Sequence, residues 1–234
     1  MATQADPKGS VFPIYLAADE SPSMTPWVGN LNSGLRHLLN EMHKHPMDAG
    51  KIRFSIIGFS DDARVVLDLC DLRDVREAPE LSIQGTSTSY SAAFDKLRER
   101  IPQDIASCRA QGYGVLRPAI FFLTDGEPMD PEGAWRSSLN KLTDKDWRPH
   151  PNILSFGLSE AAQERNMGNI AQIATHADYA FVAAKAHQTG EALTSFLRSL
   201  MRTIVATGHN LREGKTELLM EPPEGFTRVP VELV

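Results

Sequence analysis

The sequence predicts an α/β fold: a mixed, mostly parallel open sheet of six strands, covered on both faces by helices in a three-layer α/β/α arrangement, with one antiparallel strand at an edge. Three observations carry this expectation. From residue 11 onward, short apolar β-branched runs alternate with longer segments of helical period. Several of those runs are apolar at consecutive positions, as strands buried on both sides must be. Between "IIGF" and "ARVV" stand only Ser60, Asp61 and Asp62, too few residues for a crossover helix, so that pair must be an antiparallel hairpin.

In chain order the expected strands are "VFPIYLAA", "KIRFSIIGF", "ARVVLDL", "PAIFFLT", "NILSFGL" and "DYAFVAA". Val28, Leu31, Leu35, Leu38 and Met42 recur every three or four residues and place a helix after the first strand, with Pro26 in its first turn. A second helix carries Ala93, Phe94, Leu97 and Ile101, with Pro102 expected to kink or divide it. A third opens with Asp130 as N-cap and Pro131 at the first helical position, then buries Trp135, Leu139 and Leu142. A weaker helix near residues 160 to 176 is anchored by Ile170 and Ile173. The last carries Leu193, Phe196, Leu197, Leu200, Met201 and Ile204, with Gly208 read as its stop.

The chain divides into a polar N-terminal segment (1–10), a globular domain (11–208) and a C-terminal tail (209–234). The tail loses the helical period, and its "TELLM" and "VPVELV" stretches are read as edge strands, as partner-docking segments or as disordered chain. With 41% apolar and 23% charged residues, the composition excludes a disordered or fibrous chain. A net charge of −6 with scattered Lys and Arg gives no footprint for nucleic acid. Cys70 and Cys108 match no zinc or CxxC spacing, so free thiols are expected. The start is polar and no apolar run approaches the ~20 residues of a membrane span, which points to a cytoplasmic protein with no membrane partner.

The chemistry concentrates at two strand ends. "IYLAADESPS" closes an apolar run with Asp19 and follows it with Ser21 and Ser23; "AIFFLTDGEP" closes another with Asp125 before Gly126. In an open α/β sheet, ligands bind beyond the carboxyl ends of strands where neighbouring connections leave toward opposite faces. If these strands are neighbours there, two carboxylates and two hydroxyls face one crevice. Alternate spacing in an extended segment lets Ser21 and Ser23 point the same way, and "IQGTSTSYSAAF" can add a third hydroxyl. Such an all-oxygen set suits a hard divalent cation. The competing readings are a strand end followed by a helix N-cap for Asp19, Ser21 and Ser23, and a plain turn residue for Asp125.

"DESPS", "GTSTSYSAAF" and "LTDGEP", in this order within an alternating α/β chain, resemble the metal-ion-dependent adhesion site of the von Willebrand factor type A domain family. Within that family, "LTDGEP" and the small single-domain form are similar to the bacterial tellurium-resistance TerY-like branch. The resemblance implies a doubly wound, Rossmann-type sheet and a Mg²⁺ site, with Mn²⁺ or Ca²⁺ as alternatives, held by Asp19, Ser21, Ser23, Asp125 and a threonine. Register against "TSYSAAF" favours Thr88, with Thr86 as runner-up. It further implies that a protein partner, a kinase or phosphatase component in the TerY-like setting, completes the coordination with an Asp or Glu carboxylate. Pro22 departs from the glycine often found there, and Glu20 adds a charge beside the site.

The leading expectation is therefore a non-enzymatic, metal-dependent protein-binding module, in a tellurium-resistance, stress-response or conflict system. The alternatives are a Mg²⁺-dependent phosphohydrolase with Asp19 as nucleophile, although Ser21 stands where such enzymes usually place a second Asp, and a scaffold with a degenerate site. Glu127 and Asp130 read as a solvated acidic loop. His37, His43 and His45 lie along one helix and its end without a fourth zinc ligand. Trp27 and Met24 read either as an exposed apolar rim or as core packing.

Overall fold

The apolar runs become the strands of one sheet in the computed structural model, which describes residues 8–158, 167–183, 189–215, 218, 220, 223–224 and 226–228. In sequence order the strands are β1 (Ser10–Asp19), β2 (Ile52–Phe59), β3 (Ala63–Cys70), β4 (Gly114–Val115), β5 (Ala119–Thr124), β6 (Asn152–Gly157), β7 (Ala180–Ala183) and β8 (Phe226–Arg228). The helices are α1 (Val28–Lys44), α2 (Pro46–Ala49), α3 (Tyr90–Ala110), α4 (Glu132–Thr143), α5 (Met167–Ile173) and α6 (Thr189–Arg212). The strand order is β3-β2-β1-β5-β6-β7-β8, with β4 pairing the start of β1.

All six expected strands are present. β1, β2, β5, β6 and β7 run parallel, and β3 turns back against β2 at the edge, as the short Ser60–Asp62 link requires. Two further strands are too short for a period-two signal. β4 pairs only Ser10 and Val11, ahead of β5 on the same side of β1, and β8 runs antiparallel along β7. The strand in the tail thus lies just before "VPVELV", which falls outside the described residues, as does "TELLM" apart from Leu218 and Met220, which pack against the core.

Side-chain alternation sorts the core into two layers. Ile14, Leu16 and Ala18 of β1, with Phe121 and Leu123 of β5, pack under α1, α2 and α6. Tyr15 and Ala17, with Ile120 and Phe122, pack under α3 and α4. All residues of β2 and β5, and all of β1 except Ser10, are buried. That is why these strands read as continuous apolar runs.

Four helix boundaries differ from expectation. α1 begins at Val28 behind Trp27, so Pro26 stands in the turn ahead of it. α3 runs unbroken through Pro102. α4 starts at Glu132 with Pro131 in the capping position, because the Asp130 carboxylate is engaged at the start of α3. α6 passes Gly208 and ends at Arg212. A Cβ on Gly208 would lie 2.2 Å from the Asp48 carbonyl oxygen, so this glycine permits close approach of α6 to α2. The stop is Gly214, at φ +78. Its N–H donates to Leu211 O and that of Lys215 to Asn210 O, a Schellman arrangement. The weaker helix keeps Ile170 and Ile173 within α5, and its expected first turns lie outside the described residues.

This topology creates a switch point. The chain leaves β1 for α1 on one face and leaves β5 for α4 on the other. β1 and β5 are hydrogen-bonded neighbours with Ala18 opposite Leu123, so their carboxyl ends part around a crevice.

Candidate metal centre

Asp19 and Asp125 stand side by side at that crevice, each at the end of its strand, and are 2% and 7% exposed. The Asp19 carboxylate is held at both oxygens. Oδ1 accepts from the Ser21 N–H at 2.8 Å, and Oδ2 accepts from the Thr124 hydroxyl at 2.7 Å. After Asp19 the chain does not stay extended: Ser21 is extended (φ −66, ψ 162), and Pro22–Met24 then form a 3₁₀ turn with Pro22 in the first position. The tight turn still brings Ser21 Oγ and Ser23 Oγ to 3.0 Å, and Ser23 Oγ donates to Asp125 Oδ1 at 2.7 Å.

The third loop arrives from the other side. A Cβ on Gly126 would lie 3.8 Å from both Ser23 Oγ and Thr88 Oγ1, so these hydroxyls flank one cradle over a residue that has no side chain to fill it. Thr88 is buried, and its carbonyl accepts from Met129 N–H at 2.8 Å. Thr86 is exposed and turned to Asp61 instead. Of the two threonines, the geometry brings Thr88 to the crevice. Asp19, Ser21, Ser23, Thr88 and Asp125 thus share one rim of the sheet.

The supporting residues come from farther along the chain. Glu20 does not face the crevice: it is buried, paired with Arg64 (Nη2–Oε1 2.5 Å, Nε–Oε2 3.0 Å), and accepts from Ser82 N–H at 2.8 Å. Gly58 makes room for it, since a Cβ there would sit 2.1 Å from Glu20 Oε2. The Asp61 carboxylate accepts from Thr86 N–H, Ser87 N–H and the Ser87 hydroxyl. Those bonds, the Ser87 hydroxyl foremost, lower its pKa. Asp130 joins this frame rather than forming a solvated loop: it accepts from Ser89 Oγ and from Ser91 N–H, both at 2.8 Å, at the start of α3. Ser89 also caps that helix by accepting from Ala92 N–H. Glu20, Asp61, Thr124 and Asp130 do not announce themselves in the sequence as supports; Thr124, one residue before Asp125 in "LTDG", carries the nearest signal.

Electrostatically the crevice gathers two buried carboxylates with no cationic side chain paired to either. Burial, opposed by hydrogen bonds from Ser21 and Thr124, raises the Asp19 pKa above the ordinary 3.8. Burial and then the Asp19 charge push Asp125 up to about 6, against the Ser23 hydroxyl bond. No Lys, Arg or His stands among the main causes of either shift. Two desolvated carboxylates with three hydroxyls suit a hard divalent ion, whose charge would replace the missing counter-cation. This donor set is poor in carboxylate and histidine: among the described residues no cluster of three or more His, Cys, Asp or Glu is gathered to hold a metal. His37, His43 and His45 are exposed and form no such cluster. Met24 is fully buried and Trp27 packs partly buried against the core, so neither makes a free apolar rim. Cys70 and Cys108 are free thiols. Among the described residues no helix is long and apolar enough to cross a membrane.

No protein-family model matches the sequence, and no curated protein matches it. Among solved structures, the fold is similar to the pilus adhesin SpaC of Lactobacillus rhamnosus GG, with TM-score 0.64 and 13% identity over 85% of this chain and 30% of that one. It is also similar to proximal thread matrix protein 1 of the mussel byssus, solved with a zinc-occupied MIDAS motif, with TM-score 0.57 and 15% identity over 86% of this chain and 49% of that one. The chain therefore spans about a third to a half of the length of these structures. At such identities the likeness establishes the architecture: a mostly parallel, doubly wound α/β sheet shared with adhesion and matrix proteins.

Proposed function

We propose that the chain is a metal-dependent protein-binding module, in which Asp19, Ser21, Ser23, Thr88 and Asp125 hold Mg²⁺ and a partner's Asp or Glu completes its coordination. The observation that carries this reading is the meeting of two buried carboxylates, without a cationic side chain, and three hydroxyls at the β1–β5 switch point. Neutral hydroxyls quench little of an ion's charge, so an incoming carboxylate gains a strong contact at the remaining vertex. Ser23, exposed at the mouth, marks the side from which a partner would approach. Mn²⁺ and Ca²⁺ are the competing ions, and the zinc held by the mussel protein's MIDAS motif widens that list.

The resemblance of "DESPS" and "LTDGEP" to the von Willebrand factor type A site, and to its TerY-like branch, supports a cytoplasmic setting in tellurium resistance or stress response with kinase or phosphatase components as partners. In that setting the residues after α6, which ends at Arg212, serve as a docking segment that includes β8 along β7. A phosphohydrolase is less well supported, because both Asp19 oxygens are engaged by internal donors, which leaves a poor nucleophile.

Calorimetry with Mg²⁺ and Mn²⁺ tests the site: saturable binding lost in Asp125→Ala and Ser21→Ala is expected, and binding indifferent to both substitutions overturns it. Capture of a partner that EDTA abolishes and added Mg²⁺ restores tests the module. Turnover of a phosphate monoester with Mg²⁺, lost in Asp19→Asn, would establish the enzyme instead.

A further inference from the structure

We propose that the pocket at the opposite end of the sheet, ringed by Arg109, Arg117 and Arg148, binds a phosphoryl group. The pocket has a volume of about 290 Å³ and lies where α3 ends and where the chain enters β5 and β6, with Ile105, Val115 and Pro118 among its walls. It is remote from the crevice: Pro118 precedes the first residue of β5, whereas Asp125 follows the last.

The charge of the pocket is unbalanced in a way that asks for an anion. No acidic side chain lines it. Among the described residues, none of the three arginines makes an ion pair or a side-chain hydrogen bond, whereas Arg53, Arg64 and Arg100 are all paired with carboxylates. Three guanidinium groups at one pocket repel one another, and in a chain of net charge −6 carboxylates were available to neutralise them.

All three arginine side chains are exposed, and the backbone segments that carry them are tied in place. Arg117 precedes Pro118, which disfavours a helical backbone at Arg117, and Arg148 stands with Pro149 inside the turn from Trp147 to His150. Asn152 N–H donates to the Pro118 carbonyl at 2.8 Å and ties the two entering segments together. The loop before β6 is turned by Trp147 N–H on Asp144 O and by His150 N–H on Trp147 O. Arg109 stands in the last turn of α3, whose final carbonyls are satisfied by the N–H groups of Gln111, Gly112 and Tyr113.

The chemistry favours phosphate over carboxylate. Each guanidinium offers a planar fork that pairs two oxygens. A carboxylate fills one fork, whereas a phosphate monoester dianion presents three terminal oxygens to three forks. A pocket of this size is at the low end for small-molecule sites, which fits a phosphoryl group and the start of its ester stem.

The test is calorimetry in EDTA with inorganic phosphate, a phosphoserine peptide and acetate as separate titrants. Saturable phosphate binding is expected, weakened at least ~10-fold in the Arg117→Ala/Arg148→Ala double variant and retained in Asp125→Asn. Circular dichroism checks that the double variant, altered only at exposed side chains, is folded. A peptide binding more tightly than free phosphate identifies a phosphorylated protein as the source, and equal binding identifies the free anion. Absence of saturable phosphate binding, its persistence in the double variant, or acetate binding as tightly as phosphate overturns the proposal.

Discussion

The Arg64 guanidinium grips the buried Glu20 carboxylate through two parallel bonds, and Glu20 in turn accepts the N–H of Ser82. One side chain from β3 thereby fastens the end of β1 to the segment that leads to Thr88. Breaking a buried pair from one side strands a charge, at a cost of about 3–5 kcal/mol. The Arg64 side chain is 42% exposed, so solvent screening reduces that figure. Arg64→Ala is expected to lower unfolding free energy by about 1–3 kcal/mol in a denaturant titration and to weaken divalent-ion binding. Arg64→Lys, which keeps the charge and loses the fork, should fall between.

The crevice should respond to pH in opposite senses with and without metal. The Asp125 carboxyl is raised from 3.8 to about 6. A raised acid means that the folded state holds its proton more tightly than the unfolded chain. Its stabilising contribution is then full below about pH 4 and is lost as pH rises through about 6. A bound cation favours the ionised form, so metal affinity should fall as pH drops below about 6. Thermal melts on either side of that value, with EDTA and with Mg²⁺, should show the metal-induced gain shrinking at the acid end. Asp125→Asn should remove both trends.

Two glycines should behave oppositely toward alanine. At Gly208 the added methyl would meet the Asp48 carbonyl at 2.2 Å, backbone that cannot step aside cheaply. Gly208→Ala should destabilise by about 1–3 kcal/mol, as overpacking does. Gly133, in the first turn of α4, has nothing within 4 Å of the methyl an alanine would bring, so Gly133→Ala should stabilise by about 0.4–1 kcal/mol. Chemical denaturation of the two variants side by side checks both signs.

On the α3 face, the Tyr15 hydroxyl donates to Asp104 Oδ2 at 3.0 Å, and both groups are buried. Tyr15→Phe preserves the ring packing and leaves Asp104 with one partner fewer, Arg100 remaining at 3.1 Å. The expected loss is about 1–3 kcal/mol in unfolding free energy, from equilibrium denaturation.

What can be read from the sequence is local. Asp19 and Asp125 announce themselves because each closes an apolar run, and Ser21 and Ser23 because they stand at alternate positions just after Asp19. The hairpin at Ser60–Asp62 is legible because chain length alone forbids a crossover. What stays hidden is the pairing of distant residues. Nothing near Glu20 says that Arg64 will claim it, and nothing near Asp130 says that it will accept the N–H of Ser91 rather than cap its own helix. Gly208 is not the stop it resembles in the sequence, because a helix-stop glycine and a close-approach glycine look alike until the neighbouring backbone is placed. β8, three residues long, is below the length at which alternation can be recognised.

The adjacency of β1 and β5 means that the oxygen-lined crevice has no existence in any short contiguous fragment of the polypeptide. Its two carboxylates are separated by more than a hundred positions, with Thr88 between them. During synthesis a ribosome must therefore release the fifth strand before these oxygen-bearing side chains can meet at all, and their meeting becomes a sign that distant halves of the molecule have zipped together.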